Sequence, residues 1–237
     1  MRAGALVRAT AVDGRTRITD LRCEPPLVLR ETPDALYLVG AAGGPLGGDE
    51  LSMRVDVDAF AHLRVRSAAA TLAQPGPTSA PSRSTTTLTV GACGCLAWEP
   101  EPLVSVRGSH HCVDTTVSLE EGARLALVEE LVLGRFDEPP GRVTTSLRVN
   151  RIGSPILAHD LDVGTGAPEW AGPAVIGPAR AVRTELHVGP DVSAESSVIV
   201  DGTTRAARFP LAPGVALVAA LADTLTDARR GACGVRR

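Results

Sequence analysis

Cys93, Cys95, His110, His111 and Cys112 are the residues of this chain best suited to metal chemistry, because thiolate and imidazole are good ligands for zinc or nickel. Strands over 85–97 and 111–119 would bring the two groups together. Against a built site, Cys-x-Cys is not a zinc-knuckle spacing, and adjacent residues of a strand point to opposite faces. Free cysteine is also among the residues most often buried for packing alone. Cys93 and Cys95 share a face, so a metal-binding reading stays open beside one of core or surface thiols.

Other chemistry is harder to find. His62, His159 and His187 stand alone and read as structural histidines. No Gly-x-Ser-x-Gly elbow occurs, no Ser, His and Asp set is visible from local motifs, and Asp56 with Asp58 reads as the solvated face of a strand. A β-rich enzyme whose site is assembled from distant residues is the alternative that motifs do not reach. Gly43, Gly44, Gly47 and Gly48 have the spacing of a phosphate loop, but Asp49 and Glu50 stand where lysine and a hydroxyl residue are needed and would repel phosphate. The run reads instead as a tight glycine corner leading into a strand.

The elements that position these residues are mainly β. Strand patterns run over 4–12, 15–21, 27–31, 35–40, 51–58 and 60–67, with turn residues such as Asp13-Gly14 between them. Leu51, Met53, Val55 and Val57 alternate with polar residues, and Ala61, Leu63 and Val65 repeat the pattern, which predicts an antiparallel pair led in by the glycine corner. The Pro- and Ser-rich segment 74–84 reads as a mobile surface loop within a single domain of 1–237. Further strands are expected over 85–91, 102–107, 112–119, 142–149 and 155–161. Residues 123–135 fit helix or strand, and the surrounding rhythm favours strand. Val215, Leu217, Val218, Leu221 and Leu225 predict a C-terminal helix over 213–229.

Composition narrows the function classes. A chain of 237 residues with 44% hydrophobic content can bury a core, and no apolar run approaches the ~20 residues of a membrane span. The formal net charge is -3, the 24 basic residues are all Arg and scattered, and only two Trp, one Tyr and three Phe are present, so nucleic acid is not an expected partner. Five cysteines without an export signal suit reduced thiols in the cytoplasm.

The run Gly43-Gly44-Pro45-Leu46-Gly47-Gly48-Asp49, with its alternating continuation to Thr71, resembles the signature of the urease accessory protein D family. Similar segments follow in the family's order: Gly91, Ala92, Trp98 and Pro100 in GACGCLAWEPEP; Glu130 ahead of Leu133, Gly134 and Arg135 in ALVEELVLGR; then RVNRIGSPILAHDL over 148–161. Each motif is short, but their order and spacing are specific together. The resemblance covers residues 5–161 and returns over the last sixty. Leu72 departs from it where the family commonly has a basic residue, and Glu99 where an apolar one is usual.

The resemblance implies a superhelical, stacked antiparallel β-sheet arrangement with a few helices. It implies a non-enzymatic scaffold of urease maturation, with no tightly bound cofactor, that binds accessory proteins F and G and apo-urease while nickel is delivered. A dimer of such heterocomplexes is compatible with it. Nickel is then in transit through an internal passage, with Asp49 and Glu130 as candidates for its lining or for structural acids beside it. Such a passage needs exchangeable oxygen or nitrogen ligands, because tight thiolates trap the ion.

Overall fold

The computed structural model describes residues 1–236, and in it the chain repeatedly crosses between two facing sheets. β1 (Arg2–Val12) and β2 (Arg15–Cys23) form a hairpin in the first sheet, and β3 (Leu27–Glu31) and β4 (Leu36–Gly40) form one in the second. Then the alternation begins. β5 (Glu50–Val57) lies in the first sheet, β6 (His62–Ser67) in the second, and the short β7 (Thr71–Ala73) on the return. β8 (Ser82–Val90), β9 (Cys95–Glu99) and β10 (Leu103–Ser105) repeat that coil, followed by β11 (His110–Leu119) and β12 (Arg124–Leu133). β13 (Arg142–Arg151) and β14 (Ser154–Val163) close the first sheet. β15 (Ala181–Val188), β16 (Ser197–Asp201), β17 (Thr204–Ala212) and β18 (Val215–Ala222) complete the second, and α1 (Leu225–Val235) packs on it.

The mainly β, stacked architecture with a C-terminal helix is therefore the expected one, but α1 is the single helix among the described residues and the pairing inside the stack differs from expectation. β1, β5, β8, β11 and β13 pair in parallel, as do β4, β6, β9 and β12, while antiparallel ladders sit toward the margins. Successive strands of one sheet are separated by a visit to the other, so they run the same way. For the same reason 51–58 and 60–67 are not a hairpin. β5 and β6 belong to different sheets, and their apolar rows face each other across the core.

Corners make the crossing. Gly91 N donates to Val57 O at 2.7 Å, Phe60 N to Ala92 O at 3.0 Å and Cys93 N to Glu121 O at 2.9 Å, which stacks the corners 58–61, 91–94 and 120–123. A methyl group on Gly91 would meet Ala59 N at 2.7 Å, so the glycine permits the close approach. On the return side, a methyl on Gly47 would meet Gly76 N at 2.8 Å. The 74–84 segment is tied there at both ends, since Gln74 N donates to Pro45 O at 2.9 Å and Gly48 N to Pro81 O at 3.3 Å.

The predicted C-terminal helix is corrected in position. Val215, Leu217, Val218 and Leu221 lie in β18, and only Leu225 belongs to α1. Val218, Ala220 and Ala222 pack under the helix while Val215 and Leu221 pack between the sheets. A strand covered on both faces is an uninterrupted apolar run, which periodicity does not separate from helix. The helix starts where Thr224 caps it, its Oγ1 accepting from Asp227 N at 3.2 Å. Residues 123–135 resolve to strand β12 and the corner after it.

Gly47→Ala is expected to destabilise the chain by about 1–3 kcal/mol, the usual cost of forcing a methyl into packed backbone. Gly14 has positive φ but nothing within 4 Å, so Gly14→Ala carries the conformational cost alone, about 1–2 kcal/mol. Equilibrium urea unfolding of both variants checks the magnitudes, and an unperturbed Gly47→Ala would refute the packing argument.

Candidate functional site

Alternation along each strand sends one row inward, and in the middle of the stack that row turns polar. Ser84 and Thr86 of β8, His111 and Thr115 of β11 and Thr145 of β13 face Glu129 of β12 and Thr184 of β15. They surround a cavity of about 170 Å³ with Trp98 and Leu131 completing its wall. Apolar clusters flank it along the stack. One contains Leu88, Val117, Leu147, Leu127 and Leu186, and the other Leu133, Val143, Val163 and Ile176.

Glu129 is the acid of this interior. Thr115 Oγ1 donates to its Oε1 at 3.0 Å, and burial, against that hydrogen bond, raises the carboxyl above its ordinary range. The sequence reading singled out Glu130 instead. Parity decides between them, because the inward row of β12 holds Leu125, Leu127, Glu129 and Leu131, while Glu130 points to the other face. Alternation with Leu127 and Leu131 was the signal that could have identified Glu129. His111 also lines the cavity. Its Nδ1 lies 2.8 Å from Ser82 Oγ, and burial, aided by His110 and Arg83, pushes its pKa down to about 4.

Glu130 works on the outer face. Its side chain is 1% exposed and pairs with Arg183 and with Arg229 of α1, whose Nε and Nη2 donate at 2.7 and 2.5 Å. Arg183 also donates to Glu185 at 2.5 Å, and His187 Nε2 and Arg236 Nε lie 2.9 and 3.3 Å from the same carboxylate. Burial opposes the charge of Glu185, but His187 and Arg183 outweigh it and hold the carboxyl below its usual range. This paired network fastens α1 to the second sheet.

Asp49 sits at the glycine corner, buried. Oδ2 accepts from Leu46 N at 2.9 Å and Oδ1 from the Met1 amino group at 2.8 Å, and although burial works the other way these bonds hold its carboxyl below the ordinary value. It borders a second cavity of about 180 Å³ lined also by Gly43, Gly44 and Pro45. The two cavities share Leu38 and Thr71 in their walls. On the far side, Pro100, Glu101 and Glu130 are shared between the central cavity and a recess that Arg183, Arg229 and Arg236 line.

The other motif residues are structural in their contacts. Gly48 holds φ +89 at the corner, and Gly134 holds φ +75 in a turn where Arg135 N and Nε donate to Glu138 at 2.9 and 3.0 Å. The Cys and His set does not assemble, and no group of three or more His, Cys, Asp or Glu among the described residues is placed to hold a metal. Cys93 sits in a corner at φ +55, so it does not share a strand face with Cys95. Cys95 lies in the second sheet, whereas His110, His111 and Cys112 lie in the first. His111 points inward, and His110 and Cys112 share the outer face with their Nε2 and Sγ 3.9 Å apart.

Comparison with known proteins places these features in a family. The family model described as UreD urease accessory protein matches residues 1–236. Urease accessory protein UreD 2 of Saccharopolyspora erythraea is 41% identical to this chain, with 96% of the chain and 84% of the relative covered. Urease accessory protein UreD of Streptomyces avermitilis is 43% identical over 94% of each, and urease accessory protein UreD 3 of Streptomyces griseus is 44% identical over 97% of the chain and 92% of the relative.

Two outcomes follow from the charges. Glu129 holds its proton more tightly folded than unfolded, so its contribution to stability is present at low pH and lost as pH rises through the carboxylate range and above. Glu129→Gln should therefore match the parent's melting temperature at about pH 4 and exceed it at about pH 7; equal melting at both pH values would contradict the burial of a charged form. Glu130→Ala leaves Arg183 with Glu185 alone and Arg229 with Glu101 alone, and is expected to cost about 1–3 kcal/mol in urea unfolding through the donors left unmet. Arg229→Ala, at a side chain 45% exposed, should cost nearer ~1 kcal/mol.

Proposed function

This chain belongs to the UreD urease accessory protein family, and from that premise we propose that it is a non-catalytic scaffold of urease maturation through which nickel passes in transit to the apoenzyme. The single observation that carries the reading is the recess between the sheets, a largely apolar wall with a row of hydroxyls and Glu129 set into it, adjoining the Asp49 corner on one side and the recess beneath α1 on the other. Its donors are hydroxyl oxygens, one imidazole and the Glu129 carboxyl, with Glu101 and Glu130, both paired with Arg229, at its far side. That set suits a cargo ion, since hydroxyls and a carboxyl without an arginine partner exchange readily where thiolates would retain it. Burial favours the protonated form of Glu129, so a cation that displaced that proton would couple ion entry to proton release.

Partners follow from the same reading. Accessory proteins F and G and apo-urease are the proteins this scaffold would hold together, and relatives named as accessory proteins support a role without catalysis. Five cysteines without a disulfide suit work in the reducing cytoplasm. No helix among the described residues is long and apolar enough to cross a membrane.

The test is co-expression with proteins F and G and urease, followed by size-exclusion chromatography and metal analysis of each peak. A complex containing this chain is expected. Thr115→Val with Glu129→Gln nearly preserves the cavity's shape, and should leave the complex at parental yield while nickel incorporated into urease falls several-fold. Undiminished nickel in that variant would take the metal route out of this chain. Absence of any complex would remove the scaffold reading itself.

A further inference from the structure

Apart from the three-residue β7, which pairs only with β10, the two sheets end in four edge strands, and three of them carry protection against pairing. β2 reads RTRITDLRC with three arginines, β14 contains Pro155 and a register shift against β13, and β3 follows two prolines and ends in Arg30-Glu31. β16 differs. It reads Ser-Val-Ile-Val-Asp, its only charge is at its end, and Val198 and Val200 are each 71% exposed. They share a face with Ala207 of β17, to which Val198 is paired, and with Phe209 two residues along, 47% exposed.

The backbone of this edge is also open. β16 and β17 are joined by the two-residue loop Gly202-Thr203, with Asp201 opposite Thr204. In such a hairpin the pair flanking the loop exchanges both hydrogen bonds, so alternation turns the N–H and C=O groups of Val200 and Val198 outward. The strand is nevertheless held in place, because Ser197 Oγ donates to Val235 O of α1 at 2.7 Å and Ile199 packs against the cluster beneath the helix.

We propose that β16 is a docking edge for a second copy of this chain, added as an antiparallel strand about a twofold axis at Ile199. In that register Val198 faces Val200 of the other copy, Ile199 faces Ile199, and Ser197 faces Asp201. All outward backbone groups of the two valines are satisfied, two Val pairs form on one face, and each acid meets a hydroxyl rather than another acid. An in-register parallel pair would set Asp201 beside Asp201. This palindromic fit of charge and side chain is what selects a copy of the same chain as the occupant. The contact is small, so association depends on concentration. It does not depend on the nickel reading.

Two differently tagged copies co-expressed in one cell provide the test, with the second copy scored after purification through the first tag. The parental pair should co-purify. A pair in which both copies carry Val198→Lys and Val200→Lys should lose that recovery, and a Lys-carrying copy expressed with one carrying Val198→Glu and Val200→Glu should regain it. The substituted side chains are exposed, so melting temperatures should stay at the parental value; Val198→Thr with Val200→Thr, which keeps the β-branched shape, should weaken recovery without any folding change. No co-purification of the parental pair overturns the proposal. Equal recovery from the Lys pair overturns it as well, because the copies would then meet elsewhere.

Discussion

Backbone must meet backbone at the corners, and the rest of the molecule depends on that contact. Each time the chain leaves one sheet for the other, its corner rests directly on the corner below, with Gly91 against Ala59 on one side and Gly47 against Gly76 on the other. Side chains there would hold the coils apart. With the corners in register, strands in each sheet are fixed in parallel ladders without bulges, and residues of matching height line up from coil to coil. The interior is consequently layered, and a layer's chemistry is decided at a few equivalent positions.

One of these layers is polar, and it persists because apolar layers flank it. Hydroxyls buried without partners each cost on the order of 1–3 kcal/mol, and only some here bond to protein atoms, such as Ser82 to His111 and Thr115 to Glu129. The cavity's 170 Å³ exceeds the ~10–15 Å³ that a water needs, so hydration meets the other groups. Titration follows the same economy of charge. Burial keeps His111 neutral down to about 4 and disfavours the carboxylate of Glu129, so the interior holds little fixed charge of its own.

Much of this was legible in the residues, and the failures have physical causes. The strand rhythm, the glycine corners and the family resemblance were readable because period-two alternation and glycine pairs are local signals. Pairing was not local. Alternating rows in 51–57 and 61–65 are equally consistent with a hairpin on one sheet and with two strands facing across a core, and only the stacking of later coils selects the second. β18 read as helix because α1 covers one of its faces and the sheets the other. The metal set read as plausible because sequence distance between Cys95 and Cys112 says nothing about which sheet each joins. Glu130 was chosen by motif, although a parity count from Leu127 already assigns Glu129 to the interior.

The adjacency of Glu129 and Glu130 explains how one strand serves two purposes. Consecutive positions of β12 must point to opposite faces, so the two acids are held a residue apart in sequence and on opposite sides of a sheet. Outside, Glu130 is neutralised by guanidinium groups that cannot lose their charge, and through Arg229 it anchors α1. Inside, Glu129 has no arginine, and burial shifts its balance toward the protonated form. A guanidinium partner is permanent and a proton is exchangeable. The outer acid is thereby committed to architecture, while the inner one carries no permanent counter-charge. Exchanging the two environments would require shifting β12 by one residue, which would also turn Leu125, Leu127 and Leu131 out of the core. The apolar row that stabilises the stack therefore also keeps the exchangeable acid facing the cavity.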